Sequence, residues 1–574
     1  MPRWSILATL CTLLAACGPP QPRTHGEGGI YGGVFNWNET QVLRNIFPLG
    51  ITLVSEQHVA GQIYEGLVRF DPKNLEVEPA LAESWEVDAS GKVYTFHLRP
   101  DVFFHDDPAF PDGKGRQLTA QDVVDCFTAI CEKGIGDAVF WVFQDKVEGA
   151  DAYHGSGERG GRVKGIRSKD DRTVEITLVR PLPTFLQILA GSGCWIWPRE
   201  LVQAYGQELL RHAIGTGPFR LKAMRPEEAL VLERNANYWG RDQHGRQLPY
   251  LDAIRVTLVP DKETEINEFL KGHLSMVTEL SLSSFALLAD SADPATGARR
   301  FQVLSTPALA VQYYGFNASR PPFHDARVRR AFALALDKHR LVDSVLHGLA
   351  VPAGHGLVAP GLPAYPYHLV PGIPYDPDSA RGLMAAAGYP GGRGFPRVQL
   401  QVNTNGFGYR SVASEAQEML GRELGVAITV TAVAPKVYYD RIERGEALFW
   451  REGWVADLPD AENFLALLYG KNAVADTALP SPMNTSRYMN PAFDKLYASA
   501  LGRGDQTARM RDLALADSIA MHDVPVVPLY HENYIMLVAP NVQDLHINIM
   551  ELLDLRKVHL GHQAARSGEA ATSS

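Results

Sequence analysis

The chain has 574 residues, 45% of them hydrophobic and 21% charged, the balance of an ordinary globular protein with room for about three or four domains. Its formal net charge of −10 argues against nucleic acid or an anionic membrane surface as the main partner.

The N-terminus reads as a targeting segment. Arg3 is followed by an apolar run from Trp4 to Ala16, shorter than the roughly 20 residues a membrane-spanning helix needs and suited to a signal-peptide core. The run ends in Leu14-Ala15-Ala16-Cys17. Small residues before a cysteine resemble the lipobox of bacterial lipoproteins, which implies cleavage before Cys17 and its lipidation. The alternative is an ordinary signal peptide that contains Cys17. From Gly18 to Gly33 the chain holds six Gly and three Pro, a flexible tether rather than a domain start. No later run is apolar enough to cross a bilayer, so an exported, membrane-anchored body is expected. Cys126, Cys131 and Cys194 suit neither a disulfide framework nor the usual zinc spacings and read as small buried residues.

Alternation marks strands at Lys92–Leu98, Thr173–Leu178, Ile254–Leu258, Val398–Val402 and Ile428–Thr431. Thr119 with Asp122 forms a capping-box-like start for a helix through Ile130. One long helix is expected over Val328–Leu346 and stopped by Gly348, with others at Ser379–Ala387 and Ser411–Leu424. Arg451-Glu452-Gly453-Trp454-Val455-Ala456-Asp457 places a cation, an aromatic and an anion where a strand runs out towards Pro459. Taken alone, it reads as an edge strand with one buried Trp and two solvated charges. Val524-Pro525-Val526-Val527-Pro528 suggests the chain passing back into an earlier sheet.

Catalytic and cofactor motifs are missing from the sequence. It has no G-x-S-x-G elbow, no H-E-x-x-H and no Walker A. His531-Glu532 lacks a second His, and Pro218 spoils the likeness of Gly215-Thr216-Gly217 to a phosphate loop. No enzyme activity, cofactor or metal is expected.

Several motifs, in order, resemble family 5 of the bacterial extracytoplasmic solute-binding proteins, which serve peptide, nickel and opine importers. They are Ile63–Asp71, Glu78–Trp85, Tyr94–Pro100, Phe103-Phe104-His105, Leu118–Val123, Gly215–Phe219, Asn237-Tyr238-Trp239 and Pro321–Ala331. Arg451-x-Gly453-Trp454-x-Ala456-Asp457 and Met483–Asp494 are most similar to oligopeptide-binding members.

The resemblance implies a mixed α/β (α+β) fold of the class II periplasmic-binding type, with two hinged lobes and three domains. The expected division is a signal peptide over 1–16 and a lipidated tether over 17–33. Lobe I is expected over 34–71, 186–310 and 528–562, with an inserted subdomain at 72–185. Lobe II would cover 311–527, and 563–574 would be a disordered tail. It further implies a monomer that hands peptides to the permease and ATPase subunits of an ABC importer. In such proteins Asp457 would pair with the ligand ammonium and Arg451 with a ligand carboxylate. Trp454, Tyr313 and Tyr314 are expected as further ligand-binding residues. A nickel chelate, haem, an oligosaccharide or a murein peptide stays open as ligand, as does a sensor or chaperone role without a transporter.

Overall fold

Strand alternation sets most of the architecture. In the computed structural model, residues 23–24, 30–40, 43, 45–51, 53–225, 228–278, 280, 301–403, 408–474, 476 and 479–561 are described. Cys17, the expected signal peptide, most of the expected tether and the expected tail from residue 563 lie outside them.

Strand β1 (Val34–Asn38) buries Phe35 and Trp37 on one face. Strands β2 (Ala82–Val87) and β3 (Val93–Leu98), helix α1 (Ala120–Ile130), and strands β4 (Ile166–Asp170) and β5 (Thr173–Thr177) follow. The four strands form an antiparallel sheet in the order β2-β3-β5-β4. Tyr94 faces Ile176 and Phe96 faces Val174, all buried, so alternation on both strands builds one apolar face. Thr119 and Asp122 make the reciprocal capping bonds that start α1. The helix buries Val123, Phe127 and Ile130 at the spacing of a single face.

Strands β6 (Phe219–Arg225), β7 (Ala229–Arg234) and β8 (Ala253–Thr257) return to β1 in the order β6-β7-β8-β1, with β8 and β1 parallel. The remaining elements build the largest sheet. They are β9 (Met276–Val277), β10 (Gln302–Pro307), β11 (Ala310–Phe316), α2 (Ala326–Leu334), β12 (Ala350–Pro352), α3 (Pro377–Ala386), β13 (Val398–Asn403), α4 (Tyr409–Leu424), β14 (Ile428–Val433), β15 (Phe449–Val455), α5 (Ala461–Leu465), α6 (Gln506–Asp523) and β16 (Val526–Val538). The sheet order is β9-β16-β11-β15-β13-β14, and β10 and β12 also pair with β16.

Strand β16 carries the connection between the lobes. Its first half pairs with β11, from Gly315 opposite Val526 to Gln312 opposite Tyr530. Its second half pairs with β10 and β9. Near β9, Ser275 exchanges hydrogen bonds with Asn36 of β1, which ties that end to the smaller sheet. One strand thus belongs to both halves of a two-lobed mixed α/β molecule.

The long helix expected over Val328–Leu346 is divided. Helix α2 ends at Leu334, and Asp337 then accepts a hydrogen bond from the Arg340 amide and starts a new turn. The break carries the Lys338 ammonium inward to the Ala353 carbonyl, 3.0 Å away. Periodicity alone does not reveal an aspartate that caps within an otherwise helical pattern.

Candidate ligand-binding cleft

The antiparallel pair β11 and β15 places Tyr314 opposite Arg451, Tyr313 opposite Glu452 and Gln312 opposite Gly453. Alternation splits these residues into two rows. The first row holds Arg451, which is only 6% exposed. Its guanidinium lies 3.2 Å from the ring centroid of Tyr409. One terminal nitrogen donates to Asn403 Oδ1 at 3.3 Å and the other to Gln312 Oε1, while Nε has no hydrogen-bond partner among the described residues. The second row holds Glu452, whose carboxylate accepts from Trp450 Nε1 at 2.9 Å, Thr485 Oγ1 at 3.0 Å and the Tyr313 hydroxyl. Burial raises the Glu452 pKa above its ordinary value, against these donors and Arg451.

Beyond Val455 the chain leaves the sheet. The Ala456 amide donates to the Leu309 carbonyl at 2.9 Å, and the next residue, Asp457, is exposed. Asn463 on α5 holds this exit: its Oδ1 accepts from Trp454 Nε1 at 2.8 Å and from the Asp457 amide at 3.4 Å. Asp460 caps α5 by accepting from the Glu462 amide. Arg509, fully buried on α6, bonds both oxygens of Asp460 at 2.6 and 2.9 Å and Glu462 at 2.7 Å.

A cleft of about 500 Å³ opens between the lobes. One wall carries Tyr64, Glu65, Arg69, Trp141 and Trp195; the other carries Ala308–Ala310, Val455–Leu458 and Glu532. Of the five expected ligand residues, Asp457 lines this cleft. Arg451 and Trp454 lie behind the wall rather than on it. Tyr313 and Tyr314 require correction: they are 2% and 0% exposed, because the sheet is covered on both faces and neither side of β11 is free. Tyr314 packs edge-on against Phe449, with ring centroids 5.3 Å apart.

Sequence reasoning missed Glu532, Trp141 and the wall around Glu65. The signal for Glu532 is a lone carboxylate in the 13-residue strand β16, whose other residues are mostly apolar. Glu65 accepts from Tyr238 OH at 2.8 Å, Trp239 Nε1 at 3.0 Å and Thr216 Oγ1 at 3.0 Å. That network explains two of the motifs as packing. A Cβ on Gly215 would lie 2.1 Å from the Ile63 carbonyl oxygen, so the turn that delivers Thr216 admits only glycine there.

Charges on the two walls differ in how they are met. Burial opposes ionisation of Asp554, yet Arg556 at 2.5 Å holds its pKa well below the ordinary range. Burial raises the Glu532 pKa, against the pull of Arg451 and of the Gln312 side chain. His58, the one histidine among the described wall residues, engages Glu39 Oε1 at 3.1 Å and the Glu551 carbonyl at 3.0 Å through its two ring nitrogens. Burial disfavours its charge, but Glu39 raises its pKa overall. Among the described residues no group of three or more His, Cys, Asp or Glu is placed to hold a metal ion, and Cys126, Cys131 and Cys194 are free and buried. No described helix is long and apolar enough to cross a membrane.

Two lobes sharing one long strand, with a solvent-open cleft between them, define the periplasmic-binding-protein architecture. The model of the bacterial extracellular solute-binding proteins, family 5 (middle), matches residues 76–476. The chain belongs to this family. Heme-binding protein A of Haemophilus influenzae is 28% identical over 491 residues, 84% of either chain. The periplasmic oligopeptide-binding protein OppA of Escherichia coli is 26% identical over 513 residues, 88% of either chain. Among solved structures, the unliganded open form of the periplasmic murein tripeptide binding protein MppA has a TM-score of 0.79 at 23% identity, covering 94% of this chain and 99% of that one. HbpA2 from Haemophilus parasuis has a TM-score of 0.78 at 24% identity, covering 92% and 100%. DppA from Helicobacter pylori in complex with peptide STSA has a TM-score of 0.66 at 25% identity, covering 93% and 99%. Heme-binding protein A, OppA, MppA and DppA are all named as binding proteins.

Proposed function

We propose that this chain is the peptide-binding subunit of an ABC importer, anchored to a membrane through lipidated Cys17. The observation that carries the peptide reading is Asp457. It is an exposed carboxylate on the cleft wall, its backbone amide is held by Asn463, and no salt bridge occupies it among the described residues. A free peptide always offers an ammonium, and a fixed carboxylate makes a charge-assisted bond to it. The carboxylate stays in water until the ligand arrives, so no unpaired charge is buried in the empty state. Closure of the lobes over the ligand, by bending about β16, completes the desolvation. In this reading the lobes divide near residues 311 and 527, and the protein acts as a monomer that delivers peptide to permease and ATPase subunits.

The relative named for haem makes haem the second reading. The peptide reading is favoured by His58, whose ring nitrogens are both engaged and leave none for an iron ligand. Arg451 is less suited to a ligand carboxylate than the sequence suggested, since Tyr409, Gln312 and Asn403 already surround it.

The test is to purify the protein under native conditions, denature it, and identify the released small molecules by mass spectrometry. A distribution of short peptides is expected; haem or a single non-peptide solute would overturn the reading. For the anchor, Cys17→Ser should move the protein from the membrane fraction to the soluble fraction. Retention on membranes would refute lipidation at Cys17.

A further inference from the structure

The cleft wall that bears Asp457 bears a second carboxylate with no salt bridge among the described residues, Glu532. Glu65 is taken up by Tyr238, Trp239 and Thr216, and Asp554 by Arg556. Glu532 sits on β16, the strand shared by both lobes, opposite Ala350 of β12. Its orientation is fixed from behind. Arg451 donates to Gln312 Oε1, and the Gln312 side chain favours the charged form of the Glu532 carboxylate. This relay lets a buried cation steady an acidic group at the cleft surface without pairing with it directly.

The spacing of the two carboxylates follows from the sheet. The Ala308 amide donates to the Glu532 carbonyl at 2.7 Å, and the Ala456 amide donates to the Leu309 carbonyl at 2.9 Å. Residues 308–309 therefore run between Glu532 on one side and Ala456-Asp457 on the other. Two strand spacings of about 4.8 Å separate those backbones, or roughly 10 Å. An extended peptide advances about 3.3 Å per residue, and lysine adds its four-carbon stem. An α-ammonium on Asp457 thus brings a basic side chain at the second ligand residue to Glu532.

We propose that Glu532 is a specificity-determining residue that selects peptides with Lys or Arg at their second position, and that Gln312 and Arg451 are positioning residues for it. This rests on the peptide reading of the cleft and names its preferred ligand class. The gain is limited by solvent at the cleft surface and by Arg451 behind the relay. A charge-assisted bond in such a place amounts to about a tenfold preference.

The test is calorimetric titration with Ala-Lys-Ala, Ala-norleucine-Ala and Ala-Ala-Ala. Wild-type protein is expected to bind Ala-Lys-Ala about tenfold more tightly than its isosteric norleucine counterpart. Glu532→Gln should abolish that preference while leaving Ala-Ala-Ala affinity within about twofold of wild type. Glu532→Asp, which keeps the charge on a shorter stem, should retain part of it. A wild-type protein that binds all three peptides equally overturns the proposal without any variant. So does a lysine preference that persists in a folded Glu532→Gln protein. If wild type binds none of the peptides, the peptide reading itself fails and this proposal falls with it, an outcome distinct from equal binding.

Discussion

Asp457→Asn is expected to weaken binding of a neutral tripeptide such as Ala-Ala-Ala by about a hundredfold, measured by calorimetry. The substitution preserves size and removes the charge. It also turns part of the side chain into a donor facing an ammonium, which has nothing to accept it. Stability should be untouched, because Asp457 is exposed and contributes its backbone amide, not its side chain, to Asn463. The unfolding midpoint of the variant serves as the control. Unchanged affinity in the variant would show that the ammonium is received elsewhere in the cleft.

Arg509→Met should produce the largest loss of stability, about 3–5 kcal/mol, because it leaves two carboxylates without their buried cation. Asp460 is 2% exposed at its side chain and Glu462 25%, so water replaces the guanidinium poorly. The deficit should depend on pH. Burial, and then the Asp460 charge, already hold the Glu462 pKa above its ordinary value, and loss of Arg509 pushes it further up. A carboxyl whose folded pKa is raised supports folding in its protonated form and loses that support as pH rises through the folded value. The variant should therefore sit closer to wild type near about pH 5 than near about pH 8 in chemical denaturation. A deficit that is constant with pH would mean the carboxylates find other partners. Peptide affinity should fall as well, since Asp460 caps the helix whose Asn463 holds the Asp457 turn.

Much of the scaffold was legible because alternation and capping are local. The strands around Tyr94, Val174, Ile254, Val398 and Ile428 form where their side-chain patterns place them, and Thr119 starts its helix with Asp122. The division of the helix after Leu334 was not legible, because Asp337 takes its role from a fold in which Lys338 is drawn inward. Around the cleft the limit is distance along the chain. Asp457 announces itself beside a turn. Glu532 lies 75 residues further on and meets Gln312 only when β16 is laid against β11. The tyrosines of β11 misled for a related reason: a strand end beside a cleft and a strand end within a covered sheet carry the same residues.

The two rows of β15 have a consequence for redesign. Trp450, Glu452 and Trp454 are tied to Thr485, Tyr313 and Asn463 and secure the framework. Arg451, Val455 and Asp457 point the other way, to the relay and the open wall. A library that varies only positions 455 and 457 of this segment, with 532 across the sheet, would explore new cargo while leaving every bond of the supporting row in place. Selectivity and robustness are written on alternate residues of one strand, and they can be edited separately.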